Sequence, residues 1–219
     1  IAATIGAGIN VNVTLIFSLN QYEAVAEAYI AGLEHLAGQQ GDLSRVASVA
    51  SFFVSRVDAS VDKALAALGA AELQGRAAIA NAKVAYARFR ALFHGPRWEQ
   101  LAQQGAHVQR PLWASTGTKD PRYPDTLYVD GLIGPDTVNT VPPATLTAFL
   151  DHGTVAATLE QGLDEARAHL ARLAEQGVDL DLITEQLQVD AVASFAQSFE
   201  ALMASISDKR VRLLAEQLV

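Results

Sequence analysis

The run GINVNVTLIFS, residues 8–18, is the feature that most constrains how this chain folds. Its polar residues share one parity and its apolar residues share the other, so a strand here has one polar and one apolar face. In an antiparallel sheet the polar face would meet water. In a parallel barrel it would point inward toward a site. The polar parity contains Asn10, Asn12, Thr14 and Ser18, together with the apolar Ile16.

The residues that follow this run favour the parallel arrangement. Asn20 and Glu23 have the spacing of a capping box, and apolar residues then recur at helical spacing as far as Gly38. A strand that leads directly into an amphipathic helix is half of a β–α–β unit. The sequence therefore predicts a buried strand in a parallel sheet.

The same strand-then-helix order occurs four times along the chain, and additional helices follow. Strands are predicted at residues 9–18, 47–55, 110–115 and 137–141. Helices are predicted at 20–38, 58–68, 76–93, 98–104, 125–133, 143–150, 159–175, 181–187 and 189–207, with a helical pattern again at 208–219. The last long helix is expected to bury a face made of Val192, Phe195, Phe199, Leu202 and Ile206.

Four strands with helical crossovers form either an open parallel sheet or half of a (β/α)8 barrel, and a whole barrel takes about 250 residues. The chain begins IAATIGAG, lacks an initiator Met, and has Met203 as its only methionine. We therefore expect an N-terminally truncated chain. It would form one α/β domain over 1–219, the C-terminal half of a TIM barrel, with extra C-terminal helices at 159–219.

Composition excludes several classes of protein. The formal net charge of −8 provides no basic face for nucleic acid. No apolar run is long enough for a membrane span, and no signal-peptide pattern is present. Cysteine is absent, which fits a cytoplasmic chain, and the five histidines have no metal-ligand spacing. We expect no metal, no nucleic-acid partner and no membrane partner.

Polar side chains collect at the predicted carboxyl ends of the strands, where parallel α/β folds bind ligands. Two cations among several hydroxyls suit a phosphate or a sugar phosphate. The four ends offer Thr14, Ser18 and Asn20; Ser51, Ser55 and Arg56; Ser115, Thr116 and Lys119; and Asn139 and Thr140.

An alternative interpretation leaves both cations in surface ion pairs. Arg56 would then pair with Asp58 or Asp62, and Lys119 would pair with Asp120. Asp58 and Asp62 lie one helical turn apart, and we expect them to interact with a helix dipole rather than to act as an acid/base pair.

Five long motifs, in this order, make the chain similar to transaldolase, in particular to the longer bacterial form that is sometimes fused to glucose-6-phosphate isomerase. The similarity extends from the first residues to about Arg210. The motifs are GINVNVTLIFS (8–18), ASFFVSRVDASVD (50–62), AAIANAK (77–83), RPLWASTGTKD (110–120) and TLYVDGLIGPDTVNTVPPATL (126–146).

The resemblance implies a (β/α)8 barrel of the class I aldolase type. A barrel lysine would form a Schiff base with a ketose phosphate such as sedoheptulose 7-phosphate or fructose 6-phosphate. A dihydroxyacetone unit would then pass to an aldose phosphate, in the pentose phosphate pathway. The protonated imine serves as the electron sink, so no metal or organic cofactor is implied.

The resemblance also assigns roles to individual residues. Asn12 and Thr14 match a supporting catalytic pair that hydrogen-bonds the substrate and a water. Ser51 and Phe53 match site residues of the next strand, and Arg56 matches the phosphate-binding arginine. Ser115 matches a residue whose hydroxyl lies near the phosphate. Lys119 lies where shorter transaldolases have a second phosphate-binding arginine, although the loop here differs in length.

The catalytic lysine of the family belongs to the strand before GINVN, and its catalytic glutamate and aspartate to still earlier strands. All three would lie upstream of Ile1, so we expect this chain alone to be inactive. Lys119 is not a substitute, because nothing in the sequence would desolvate it. The partners expected are sugar phosphates, the missing half of the barrel and a second copy. The alternatives are another Schiff-base sugar-phosphate aldolase, or an inert sugar-phosphate-binding or scaffold fragment.

Overall fold

The computed structural model describes residues 1–216, with side-chain detail to residue 214. Its four strands are β1 (Val11–Ile16), β2 (Ser48–Phe53), β3 (Arg110–Ala114) and β4 (Val138–Asn139). They form one sheet in the order β1–β2–β3–β4, and every neighbouring pair is parallel. This confirms the predicted α/β fold with four parallel strands connected by helices. The sheet is open, and β1 and β4 are its edges.

Helices occupy most of the remaining described chain. They are α1 (Ala2–Gly6), α2 (Leu19–Gly38), α3 (Ser55–Leu68), α4 (Ala77–Leu92), α5 (Pro96–Ala102), α6 (Leu127–Gly131), α7 (Pro143–His152), α8 (Leu163–Glu175) and α9 (Leu180–Glu216). Two single turns of 3-10 helix lie at Leu43–Arg45 and Ala71–Leu73. α3 begins three residues earlier than predicted, so it starts directly at the carboxyl end of β2.

The N-terminal cap of α2 differs from the predicted one. The hydroxyl of Ser18 accepts a hydrogen bond from the Gln21 backbone N–H at 3.1 Å. The Gln21 side chain accepts in return from the Ser18 backbone N–H at 3.3 Å. The predicted pair, Asn20 and Glu23, has the same spacing but lies inside the helix, at its second and fifth residues. Ser18/Gln21 and Asn20/Glu23 both have capping-box spacing, and the point at which β1 ends determines which pair lies at the start of the helix.

The strands are shorter than predicted for local reasons. β1 ends after Leu15 adopts a positive φ of 61° and the register with β2 shifts between Val13 and Ile16. β4 pairs over only two residues, and Pro142 and Pro143 follow it closely. Proline has no backbone N–H to donate, so the ladder cannot continue through that pair.

One face of the sheet packs beneath helices. Phe52 on β2 and Trp113 on β3 are partners in register, and their rings meet edge to face at 6.1 Å. Tyr22 of α2 meets Phe52 at 6.3 Å, and all three side chains are buried. Trp113 is therefore a packing residue of this core. Ser51 and Phe53 alternate with this row and face the other side of β2.

The prediction for the C-terminal region is wrong in two respects. Residues 181–207, predicted as two helices, belong to the single helix α9, because no glycine or proline interrupts it. The apolar face expected to be buried is exposed, with Phe195 at 53% and Phe199 at 64% accessibility. Val192, Leu202 and Ile206 are exposed with them. Residues 217–219 of the predicted terminal helix lie outside the described residues.

The described helices were also compared with the requirements of a bilayer. None of them combines the length and the apolar character that a membrane crossing needs.

Candidate functional site

The junction between β1 and β2 brings two of the predicted site residues together. The Ser51 hydroxyl donates a hydrogen bond to the Asn12 side-chain oxygen at 2.7 Å. Ser51 is buried, whereas Asn12 and Thr14 are exposed on the face of β1 that the helices do not cover. This bond fixes the orientation of the Asn12 side-chain amide.

The end of β2 places an aromatic ring beneath a guanidinium group. The Arg56 guanidinium carbon lies 5.5 Å from the centre of the Phe53 ring. Phe53 also packs on the buried Phe17, with ring centres 5.1 Å apart. A cation held over an aromatic face keeps its hydrogen-bond donors free for an anion. Arg56 is exposed, in the first turn of α3.

The junction between β2 and β3 is closed by a pair of serines. The hydroxyls of Ser55 and Ser115 are 2.8 Å apart, and the Ser55 backbone N–H donates to the Ser115 carbonyl at 3.0 Å. Ser115 has a φ of 57°, in the left-handed region that serine seldom adopts. Such strain persists where surrounding contacts fix the backbone, and it concentrates at functional sites.

The junction between β3 and β4 repeats this arrangement. The Thr116 hydroxyl donates to the Asn139 side-chain oxygen at 2.8 Å, and Thr116 is buried. Each of the three strand junctions is therefore crossed by a polar side-chain pair. We call Asn12–Ser51, Ser55–Ser115 and Thr116–Asn139 the row of polar pairs. Asn12 and Ser51 face the side of the sheet opposite Trp113, whereas Asn139 is in register with Trp113 and shares its face.

The carboxylates proposed as surface partners of Arg56 are instead buried. Asp58 is 1% exposed and accepts bonds from the Tyr128 hydroxyl at 2.9 Å and the Ala78 backbone N–H at 2.8 Å. Asp62 is 8% exposed and accepts from the Tyr123 hydroxyl at 2.7 Å and the Gly75 N–H at 2.9 Å. The surface ion-pair interpretation of Arg56 is wrong for these partners.

Burial also sets the ionisation of this region. Desolvation raises the pKa of Asp58 to about 6, although the bonds from Ala78 and Tyr128 oppose the rise. The pKa values of Tyr123 and Tyr128 are raised as well, by burial and by the neighbouring carboxylates. Asp58 lies in the first turn of α3, the position that the predicted interaction with the helix dipole requires. It caps the start of α4, where Arg76 supplies no side-chain cap.

The segment between β3 and α6, residues 115–126, carries Lys119 on its surface. Asp120 pairs with Arg122 at 2.6 Å, so the predicted Lys119–Asp120 pair is replaced. Lys119 lines a cavity of about 640 Å³ together with Ser55, Asp58 and Asp62. Lys119 therefore lies on the same side as the serine pair, although Arg56 is not among the residues that line this cavity.

A second cavity of about 490 Å³ lies at the opposite, amino ends of the strands. It is lined by Asn10, Ser48, His107 and Arg110, and by Asn12, the second residue of β1. Ligands of parallel α/β folds bind at the carboxyl ends, so we assign the candidate site to the row of polar pairs rather than to this cavity.

Two buried polar groups near the site were not predicted from sequence. The Asn81 amide on α4 donates to the Phe17 carbonyl at 2.9 Å, directly after β1. The Asn81 side-chain oxygen and the Tyr22 hydroxyl have no hydrogen-bond partner among the described residues. The only signal for Asn81 was a polar residue within the alanine-rich motif AAIANAK. No cluster of three possible metal ligands occurs in the described residues.

Comparison with known proteins identifies the family. The family model "Transaldolase/Fructose-6-phosphate aldolase" matches residues 1–206. A transaldolase of Parafrankia sp. strain EAN1pec is 54% identical over 95% of this chain and 58% of that protein. "Transaldolase 1" of Streptomyces avermitilis is 51% identical over 94% and 56% of the two chains. The transaldolase of Thermobifida fusca is 50% identical over 95% and 58%.

The chain thus spans a little under three fifths of the length of these curated relatives. The match covers all four strands and the helices between them. It includes the five motifs on which the resemblance was based. The chain belongs to the transaldolase/fructose-6-phosphate aldolase family.

Proposed function

We propose that this chain is the C-terminal part of a longer transaldolase and that β1 to β4 are strands five to eight of a (β/α)8 barrel. The open parallel sheet with two free edges supports this, as does the share of its relatives that the chain covers. Four further strands with helices would complete a barrel of the usual size. The whole range 1–219 would then be one partial domain.

The longer protein would transfer a dihydroxyacetone unit between sugar phosphates. A lysine of the preceding segment attacks the ketone of sedoheptulose 7-phosphate or fructose 6-phosphate, and loss of water gives a protonated imine. Breaking the adjacent carbon–carbon bond releases an aldose phosphate and leaves an enamine on the lysine. The enamine carbon then adds to the aldehyde of an acceptor aldose phosphate, and water frees the lysine.

The row of polar pairs is the observation that carries this proposal. Asn12, Thr14 and Ser51 would bind the hydroxyl groups of the substrate and a water near the imine. Arg56 and Ser115 would bind the phosphate, and Lys119 would add a second cation. A guanidinium offers two parallel donors to phosphate oxygens, and hydroxyls fill the remaining acceptor positions. This set holds a sugar phosphate without a metal or an organic cofactor.

The 219-residue chain alone would not form the imine. Its four lysines are Lys63, Lys83, Lys119 and Lys209. Lys119 and Lys209 are exposed, and Lys63 projects from α3. Lys83 lies on α4, and its ammonium donates to the Gln161 carbonyl at 2.8 Å. None of the four lies on a strand, where an imine would face the row of polar pairs.

Borohydride reduction in the presence of fructose 6-phosphate tests this proposal. Reduction converts an imine to a stable amine, so mass spectrometry of peptides locates the modified lysine. We expect no adduct on the 219-residue chain and one adduct on the longer parent, in the segment upstream of Ile1. A substrate adduct on any of the four lysines of this chain would contradict the proposal.

A second candidate reaction is cleavage of fructose 6-phosphate without transfer, which the description of the matching family also includes. Both reactions use the same imine, and they differ in the fate of the three-carbon unit. Free dihydroxyacetone that accumulates equally with and without an aldose phosphate acceptor would favour the aldolase. Product formation that requires the acceptor would favour the transferase.

The proposal extends to partners and location. The substrates are sugar phosphates, and the principal protein partner is the N-terminal half of the barrel. The two free sheet edges and the exposed face of α9 also favour association of isolated copies. A cytoplasmic location fits this chemistry and the absence of cysteine.

A further inference from the structure

Two buried carboxylates of α3 hold together three segments that are distant in sequence. Asp58 and Asp62 lie one turn apart, so both side chains leave the same face of the helix. Each accepts one bond from the chain at the start of α4 and one from a tyrosine hydroxyl on the β3–α6 segment or on α6 itself. The tyrosines, Tyr123 and Tyr128, lie on the C-terminal side of Lys119.

The β3–α6 segment has little regular structure of its own. Within it, the Thr118 hydroxyl donates to the Pro124 carbonyl at 2.8 Å, and the Tyr123 N–H donates to the Asp120 carbonyl at 3.1 Å. These bonds fold the segment around Lys119 but do not attach it to the rest of the protein. Long connections without secondary structure in a compact domain are commonly functional.

Beyond the Ser55–Ser115 pair at its start, the segment is attached to α3 by Tyr123. Its hydroxyl reaches Asp62, and its ring lies against Gly75, where a Cβ would come within 2.7 Å of the ring. Gly75 has a φ of 71°, and its N–H donates to the same Asp62 carboxylate. Glycine at 75 therefore serves two purposes, since it adopts the left-handed conformation and leaves room for the ring.

Burying these carboxylates removes them from water, and this desolvation costs free energy that a carboxylate on the surface does not lose. A carboxylate that remains buried despite its desolvation needs hydrogen bonds to the charged form, and both residues have them. Substituting apolar residues would remove that cost and also the anchorage of the segment. Their arrangement is therefore better explained by the geometry that they impose than by a contribution to stability.

We propose that Asp62 and Asp58 are positioning residues that hold the segment bearing Lys119 against α3, through Tyr123 and Tyr128, so that Lys119 meets the phosphate of a bound sugar phosphate. This inference rests on the proposed function for the identity of the ligand. The anchorage itself is independent of it. α3 also carries Arg56, so the carboxylates attach the segment with Lys119 to the helix that bears the other proposed phosphate-binding cation.

The decisive variant is Tyr123→Phe, which removes one hydroxyl and leaves the ring against Gly75. Tyr86→Phe is the matched control, because the Tyr86 hydroxyl is also bonded, to the Pro135 carbonyl at 3.2 Å, but lies away from the segment. Hydrogen exchange of the amides of residues 117–124 is measured on the 219-residue chain. We expect exchange about tenfold faster in Tyr123→Phe, since a bond to a charged group is lost, and unchanged in Tyr86→Phe. Unchanged exchange in Tyr123→Phe would overturn the anchorage.

The dissociation constant for fructose 6-phosphate, measured by calorimetry on the longer parent, tests the link to Lys119. We expect Tyr123→Phe and Lys119→Ala each to weaken binding several-fold, and the double variant to be no weaker than Lys119→Ala alone. The positioning role would be overturned if the two substitutions weakened binding additively in the double variant. It would also be overturned if Tyr123→Phe weakened binding and Lys119→Ala did not. A separate assay tests the proposed function. That function would fail if the wild-type parent transferred no three-carbon unit from fructose 6-phosphate.

Discussion

Helices α2 and α9 carry similar apolar stripes but have opposite environments. In α2 the stripe that includes Tyr22, Tyr29 and Leu33 is completely buried beneath the rest of the fold. In α9 the stripe that includes Phe195 and Phe199 is exposed to solvent. Helical periodicity therefore identifies which face of a helix is apolar, but not whether the chain at hand supplies the surface that covers it.

The two helices differ in what surrounds them. α2 connects β1 to β2, so the strands that it follows and precedes also provide its packing surface. α9 follows all four strands and packs against α3 and β1 only near its beginning, where Thr184 and Ala191 are buried. The proposed N-terminal half of the barrel would supply surfaces that this chain lacks.

A matched pair of leucine substitutions tests this comparison most strongly. Leu33→Ala on α2 removes a side chain with no exposed area, and we expect a loss of about 2–5 kcal/mol in the free energy of unfolding. Leu202→Ala on α9 removes a side chain that is 57% exposed, and we expect a change within about 0.5 kcal/mol. Both values come from urea unfolding at low protein concentration. Equal losses would show that the α9 face is covered in solution.

The buried carboxylate Asp58 extends the comparison to charged residues. Its folded-state pKa is raised to about 6 from 3.8, so between those values the folded chain binds more protons than the unfolded chain. Stability should therefore increase as the pH falls from above 6 to about 4, by up to about 3 kcal/mol from this group. Unfolding measured across this range should show the increase in the wild type and a smaller one in Asp58→Asn.

Glu200→Gln is the control for that experiment, because Glu200 lies on the exposed part of α9. It should retain the pH dependence of the wild type. If Asp58→Asn also retains it, the increase does not arise from the buried carboxylate, and the contrast between the two environments is weakened.

Much of the fold was accessible from the sequence because strand–helix alternation is a local pattern. The four parallel strands follow from period-two runs that lead into amphipathic helices. The positive φ values of Leu15 and Ser115 were not predictable, since neither residue is a glycine and neighbouring strands impose the conformation. The single helix α9 could have been predicted, since its sequence contains no residue that breaks a helix.

The candidate site was predicted residue by residue but not as a set of contacts. The sequence placed Ser51 and Ser115 at strand ends, and the family resemblance added Asn12. Only the register between strands shows which hydroxyl meets which amide. Asp58 and Asp62 were assigned to the surface because an aspartate near a helix start usually lies there. Their burial depends on two tyrosines that are more than sixty residues away.

The KM for fructose 6-phosphate of Arg56→Ala in the longer parent is the most direct test of the central claim, that the carboxyl ends of these strands bind a sugar phosphate. The account predicts a KM raised about tenfold or more, since a charge-assisted bond to phosphate is lost. The matched control is Arg110→Ala, at the amino end of β3, for which KM should not change. An unchanged KM in Arg56→Ala, or an equal increase in both variants, would contradict the account.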